Sequence, residues 1–324
     1  MPPMGEFDLI TRYFARPVSN DGGTVALGVG DDCAILTPTP GHQWLVSTDM
    51  LVEGRHFLST VLPQRLGHKA LAVNLSDLAA SGGTPKACFL SLALPRVDEG
   101  FLAGFSEGLF ALADAHGVVL AGGDTTAGPL NLNITIMGEV PHGQALLRSG
   151  ARPGDDIWVS GSLGDARLAL EVFRGTVALT GEQFDAVRLA MELPQPRVAL
   201  GVALRGVASS AIDVSDGLAG DLNHILRRSG VGAHLRLADL PRSAVLGGMT
   251  EDLQRMCLLT GGDDYELVFT APPEAADQVL AAGRRAATPV SRVGRIEAQA
   301  GLRVLDGDGR ELDLALQSFD HFQS

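Results

Sequence analysis

Strand-period and helix-period segments alternate through both halves of this chain, and the strand segments repeatedly run out into aspartate. Alternation of that kind predicts α/β or α+β layers, because each element must bury its apolar face on a neighbour, and it argues against a stack of repeats. Val25, Leu27 and Val29 alternate as a strand that ends at Gly30-Asp31-Asp32, and Trp44 to Thr48 reads as a second strand ending at Asp49. Phe7, Ile10 and Phe14 mark one face of a short helix. The segment 66–80 is helical and mostly apolar, and Phe101, Phe105, Leu109 and Leu112 mark a second amphipathic helix. Leu132, Ile134 and Ile136 alternate with Asn131, Asn133 and Thr135, as a half-buried strand should.

The turn-rich stretch Arg148-Ser149-Gly150-Ala151-Arg152-Pro153-Gly154 predicts a domain boundary, giving domains at 1–148 and 149–324. Beyond it the pattern predicts a strand at 157–160, a strand-turn-helix at 211–226, a strand at 265–269 and a hairpin turning at Asp306-Gly307-Asp308-Gly309. A chain of 324 residues that is 45% hydrophobic has ample material for two cores. No apolar run approaches the roughly 18 to 20 residues of a bilayer span, and the N-terminus lacks the basic start and apolar stretch of a leader. Cysteines at 33, 88 and 257 are too scattered for a disulfide frame or a zinc site. A net charge of -13 argues against a nucleic-acid or anionic-membrane surface. The expectation is a soluble, cytoplasmic protein.

Lysine occurs only at 69 and 86, and no Gly-Lys-Ser/Thr triplet offers a Walker loop. If this chain binds phosphates, metal ions must supply much of the counter-charge. The aspartates suit that role. Gly30-Asp31-Asp32, Ser47-Thr48-Asp49, Gly122-Gly123-Asp124, Asp213-Val214-Ser215-Asp216 and Gly261-Gly262-Asp263-Asp264 each follow an apolar run, where a side chain emerges at the mouth of a sheet. A single Gly-Asp pair is only a common turn, and Pro153-Gly154-Asp155-Asp156 reads as one. Asp77 is the sharpest single residue, because its helical segment Leu71 to Ala80 carries no other charge. A buried carboxylate there must be hydrogen-bonded, paired or bound to a metal. Hard oxygen donors without clustered His or Cys favour Mg2+, which commonly combines one or two carboxylates with waters and substrate phosphates. The Gly122-to-Gly128 segment reads as a loop able to bring amides to phosphate oxygens. Ser215-Asp216-Gly217 reads equally well as a helix cap. Cys88 and Cys257, in apolar surroundings, read as structural.

Taken in order, these motifs resemble one family closely. Gly5-Glu6-Phe7, Gly28-Val29-Gly30-Asp31-Asp32-Cys33-Ala34, Ser47-Thr48-Asp49 and Asn74-Leu75-Ser76-Asp77-Leu78-Ala79-Ala80 come first. Gly122-Gly123-Asp124-Thr125-Thr126, Arg148-Ser149-Gly150-Ala151, Asp213-Val214-Ser215-Asp216-Gly217 and Asp264-Tyr265-Glu266-Leu267 follow, and the match runs to Phe319-Asp320-His321-Phe322. The chain resembles the thiamine-monophosphate kinases, within the aminoimidazole ribonucleotide synthetase-like superfamily. The resemblance implies a two-domain fold: residues 1–148 a sheet domain that binds ATP and Mg2+ and forms a homodimer, and residues 149–324 an α/β domain that completes the active site. It implies ATP-dependent phosphorylation of thiamine monophosphate to thiamine diphosphate with several Mg2+ ions. The implied metal ligands are Asp32, Ser47, Thr48, Asp49, Asp77, Asp124, Asp213 and Asp216. Gly123, Asp124, Arg148 and Ser215 would contact the nucleotide, and His56, Asp263 and Phe319 the thiamine phosphate.

Two positions depart from the family pattern. Asp263 stands where Glu is usual, and Phe319 stands where Tyr or Trp is expected. Both fall on acceptor contacts. A phosphate acceptor is already largely ionised at neutral pH, with a second pKa of about 6, so the resemblance implies direct in-line displacement with no general base assigned. Alternative readings are another ATP-using enzyme of the superfamily with a different acceptor, or a non-catalytic nucleotide- or thiamine-phosphate-binding protein. The chain has neither a reactive N-terminal Cys for selenophosphate chemistry nor a terminal Cys as in the hydrogenase-maturation relative.

Overall fold

The computed structural model describes residues 5–17 and 23–314. The chain divides into two compact units, one of Met1–Leu78 with Gly83–Gly143 and the other of Ala79–Gly82 with Gln144–Ser324. Each has its own sheet. Phe319 lies outside the described residues.

The first unit contains α1 (Glu6–Tyr13), β1 (Val25–Leu27), β2 (Ile35–Leu36), β3 (His42–Val52), α2 (Pro63–Ala80), β4 (Thr84–Leu94), α3 (Glu99–His116), β5 (Val119–Ala127) and β6 (Asn131–Pro141). Strands β3-β6-β4-β5 form one sheet, antiparallel except for the β4–β5 pair that α3 connects. Helix α3 starts where the Asp98 carboxylate accepts the Phe101 amide at 3.0 Å, and stops at Gly117 with φ 63°. The faces expected from the sequence are the buried ones: Phe105 and Leu109 on α3, Leu132 and Ile134 on β6. Helices α2 and α3 touch backbone to backbone. A Cβ on Gly67 would stand 2.0 Å from the Phe105 carbonyl oxygen, and one on Gly108 would stand 1.8 Å from that of Gln64.

The first unit departs from the sequence pattern at two strands. Strand β3 does not end at Asp49 but continues to Val52, because β6 supplies a matching ladder out to Asn131. Gly122-Gly123-Asp124 is not a loop. It lies inside β5, where Gly123 (φ 146°) presses so closely on β4 that a Cβ would meet the Leu90 carbonyl oxygen at 1.8 Å.

The second unit contains β7 (Asp156–Ser160), α4 (Asp165–Phe173), α5 (Gly181–Glu192), α6 (Val198–Ala203), β8 (Ser210–Val214), α7 (Leu218–Ser229), β9 (Gly232–Arg236), α8 (Ala244–Gly247), α9 (Glu251–Thr260), β10 (Glu266–Ala271), α10 (Ala276–Arg285), β11 (Val290–Glu297) and β12 (Gly301–Leu305). The sheet order is β12-β9-β11-β7-β10-β8, antiparallel except for β12 beside β9. Ile157, Val159, Leu222, Ile225, Val268 and Ile296 belong to its core. The turn at 306–309 forms, but it closes through a single bridge between Leu305 and Glu311 rather than through a second strand. Asp155 and Asp156 behave as a turn before a strand. Asp155 accepts from the Arg152 amide at 3.0 Å, and Asp156 lies 3.4 Å from Arg292. Among the described residues no helix is long and apolar enough to cross a membrane.

The glycine contact between α2 and α3 leaves no room for a methyl group. Gly108→Ala is expected to destabilise the protein by about 2 kcal/mol, the usual scale of overpacking. Gly100→Ala, where the nearest atom would be a side-chain oxygen at 3.4 Å, should be neutral or slightly stabilising in a helix. Urea unfolding of the two variants beside the parent checks the contrast.

Candidate active site

In the first unit the alternation of β3 sorts the candidates. Ser47 points toward α2, where its hydroxyl donates to Asp77 Oδ2. Asp49, two residues on, shares that face. Asp77 is half-buried in an otherwise buried helical run, between Ser76 and Leu78. Thr48 points the other way, its Oγ1 lying 3.2 Å from Asn133 Oδ1 and 3.1 Å from Thr135 Oγ1 on β6. The structure therefore brings Ser47 and Asp77 together and leaves the Thr48 hydroxyl on the opposite face.

Asp32 is exposed after Gly30 (φ 123°), and its amide donates to Asp31 Oδ1 at 2.8 Å. Asp124 is exposed on β5, registered beside Ser91 of β4. His56 follows β3 in a tight turn, where its Nδ1 accepts the Val52 amide at 3.0 Å. That acceptor role fixes the neutral tautomer with the proton on Nε2, a donor suited to a phosphate oxygen.

In the second unit two loops lie side by side at one end of the sheet, because β8 ends where β10 begins. Loop 214–217 takes in the last residue of β8 and carries Ser215 and Asp216; Asp213, just before it, is buried in the strand. Loop 261–265 precedes β10. The Asp263 amide donates to the Ser215 carbonyl at 2.8 Å, and the Tyr265 amide donates to the Val214 carbonyl at 2.9 Å. Asp263 (φ 72°) and Tyr265 (φ 52°) both hold left-handed backbone, which for a bulky residue such as Tyr is an outlier. Gly262 makes the approach possible, since a Cβ there would stand 2.2 Å from the Ser215 carbonyl oxygen.

Neither Ser215 nor Asp216 caps α7. The N-cap is Gly217, with φ 109° and no side chain, and the donors before it are taken by Asp221 instead. Asp221 Oδ2 accepts the amides of Ser215 and Asp216, each at 3.0 Å. Burial pushes the Asp221 carboxyl up to about 7, the charge of Asp216 adds to that, and the two amides and Arg148 oppose it. Arg148 also helps lower the His224 pKa, after burial, so its cation stands near the start of α7. Sequence reasoning missed Asp221. Its one sequence signal was an acid in the first turn of a helix that opens with Gly-Leu-Ala-Gly and so lacks a capping side chain.

Asp264 belongs to a motif the sequence singled out, but it received no contact of its own there. Its Oδ1 accepts the Gly164 amide at 2.8 Å, while Oδ2 is buried without a hydrogen-bond partner among the described residues. Burial raises its pKa well above the usual carboxylate range; the Gly164 amide opposes this, and the charges of Glu266, Asp263 and Asp165 add to it.

Among the described residues no three His, Cys, Asp or Glu side chains converge to hold a metal ion. The donors present fit Mg2+ of a particular kind. Carboxylates and hydroxyls offered singly or in pairs suit ions that keep several waters and finish their shell with phosphate oxygens, not an all-protein cage.

Residues 30–140 match the family model for the AIR synthase related protein, N-terminal domain, and residues 152–307 match that for its C-terminal domain. The chain is 44% identical over 322 residues to the thiamine-monophosphate kinase of Salmonella typhimurium, covering 98% of each protein. Its fold matches the crystal structure of thiamine-monophosphate kinase from Stenotrophomonas maltophilia with a TM-score of 0.84 at 45% identity, covering 90% of this chain and 93% of that one. It also matches AaThiL complexed with AMPPCP and TMP, with a TM-score of 0.75 at 29% identity, covering 88% and 89% of the two chains.

The raised Asp264 carboxyl carries a pH signature. The folded chain holds its proton more tightly than the unfolded chain, whose carboxyl titrates near 3.9. Stability from this group is therefore full below that value and is lost as pH rises toward the folded pKa. Asp264→Asn keeps an oxygen for the Gly164 amide and removes the titration. Its gain in thermal midpoint over the parent should grow from pH 4 to pH 8, as read by calorimetry.

Proposed function

The chain belongs to the AIR synthase related proteins and, among them, to the thiamine-monophosphate kinases, and we propose on that ground that it works as they do. It phosphorylates thiamine monophosphate to thiamine diphosphate with ATP as the phosphoryl donor. The observation that carries this is 44% identity to a thiamine-monophosphate kinase over nearly the full length of both proteins. ATP and thiamine monophosphate are its substrates, in keeping with the AMPPCP and TMP held by AaThiL.

Several Mg2+ ions would be held by Asp32, Ser47, Thr48, Asp49, Asp77 and Asp124 of the first unit and by Asp213 and Asp216 of the second. Thr48 would contribute through its main chain, since its hydroxyl faces β6. Held there, Mg2+ would supply the counter-charge that two polyanions need. The chain does the rest by position. Asp77 is oriented by the Ser47 hydroxyl. Gly123, Asp124, Arg148 and Ser215 would contact the nucleotide, with Arg148 as a fixed cation in a strongly acidic protein. His56 would offer Nε2–H to the acceptor phosphate, and Asp263 and Phe319 would complete the acceptor site. Transfer is a single in-line displacement without a phosphoenzyme; inversion at a chiral γ-phosphorus is the expected stereochemistry.

The protein is proposed to act in the cytoplasm as a homodimer formed through the first unit's sheet. Support comes from β3, where Val46 and Met50 are 60% and 54% exposed on the face turned away from α2, with Val52 in line. An apolar strand face of that kind is a natural interface core.

Two variants test these assignments. Asp77→Ala should keep its fold by circular dichroism and lose thiamine diphosphate formation by about 100-fold, the scale of losing a metal ligand or its close support. Product identity is read by chromatography in a coupled ADP assay. ADP release without the thiamine product would instead favour a different acceptor. Met50→Glu should shift the protein toward monomer in sedimentation velocity; an unchanged dimer would place the interface elsewhere.

A further inference from the structure

We propose that Asp221 is a positioning residue for phosphoryl transfer, setting loop 214–217 directly and loop 261–265 through it. The inference rests on the assignment above of Ser215 and Asp216 to nucleotide and metal and of Asp263 to the acceptor. Asp221 itself contacts no ligand in that assignment.

Helix α7 has no capping side chain at its start. It opens at Gly217, which has no side chain to accept the donors that a helix N-terminus leaves unpaired. Asp221 sits in the first turn, its own amide bonded to the Gly217 carbonyl at 3.0 Å. From there its carboxylate turns back across the helix start, and a single oxygen gathers the amides of Ser215 and Asp216 at 3.0 Å each. Two successive amides converging on one anion form a nest, which fixes the peptide orientations of both residues. Asp221 is only 3% exposed, so packing holds the carboxylate in place.

The same short loop is held on its carbonyl side by loop 261–265. The Val214 and Ser215 carbonyls accept the amides of Tyr265 and Asp263 at 2.9 and 2.8 Å. Both of those residues hold left-handed backbone. Such backbone is strained and persists only where neighbours over-determine it. The carbonyls that over-determine it belong to the loop that Asp221 orients. A displacement of loop 214–217 therefore moves Asp216 on the metal side and Asp263 on the acceptor side together. Reach matters here more than charge: one methylene more, as in Glu, would push the amides away while keeping a carboxylate.

The test compares Asp221→Ala, Asp221→Glu and Asp221→Asn with the parent in four readings. These are KM for ATP, KM for thiamine monophosphate, the Mg2+ concentration at half-maximal rate, and the thermal midpoint. Asp221→Ala and Asp221→Glu should raise the Mg2+ requirement and the acceptor KM together by roughly 10-fold to 100-fold, as loss of a supporting partner does. Asp221→Asn, with an oxygen at the same reach, should stay near the parent. If Asp221→Ala does not fold, the Glu and Asn pair carries the comparison. A residue that serves only stability would lower the thermal midpoint in Asp221→Glu while leaving both KM values and the Mg2+ requirement unchanged, and that result overturns the proposal. Should the parent itself make no thiamine diphosphate, the functional assignment fails separately. Calorimetric titration with AMPPCP and Mg2+ then decides the matter: weaker nucleotide binding in Asp221→Glu than in the parent supports the proposal, and equal binding overturns it.

Discussion

The loops and strands that carry the candidate site are held through acids that receive backbone amides and hydroxyls, and much else in the second unit follows from that. Asp221 takes the amides of Ser215 and Asp216, Asp264 takes that of Gly164, Asp31 takes that of Asp32, and Asp77 takes the Ser47 hydroxyl. Several acids that brace the fold are held differently. Glu266 is gripped by the Arg197 guanidinium, Glu171 by Arg167 and Arg174, and Glu192 by Arg188. An amide orients a carboxylate without neutralising it, whereas a guanidinium does both.

That division also explains why the two site loops of the second unit are built from close backbone contact. A loop full of aspartates cannot be tied down by bringing the aspartates together, because like charges repel. It can be tied down by peptide hydrogen bonds. Gly262 permits the approach, the Val214 and Ser215 carbonyls accept the bonds, and the left-handed residues Asp263 and Tyr265 are the local strain this leaves. In the first unit, glycine does the same work at Gly123, which lets β5 lie against β4 and presents Asp124 beside it.

Much of the fold was legible in the sequence because its elements are amphipathic at their own period. The apolar faces of α3 and β6 were read residue by residue, and the strand-turn-helix at 211–226 is β8, a loop and α7. The ends of elements were less legible. Periodicity gave no reason for β3 to run past Asp49 or for Gly122-Gly123 to sit inside a strand, since strand length depends on how far the partner's ladder extends. The motif Ser47-Thr48-Asp49 was read as one group, yet the pleat sends Thr48 to the opposite face from Ser47.

The sequence by itself determined the alternating layers, the glycine and aspartate punctuation that singles out the candidate residues, and a family resemblance that nearly full-length identity bears out. Those features are local in the chain, and side-chain chemistry with its spacing is enough to state them. Tertiary structure decided which donors each acid receives. Asp221 reaches back over a glycine-capped helix start, and Asp264 keeps one oxygen buried and unmatched among the described residues. Loop 261–265 bonds to loop 214–217 across some fifty intervening residues. Contacts of that kind form only when sheet pairing brings distant backbone into register, so no window along the sequence contains them.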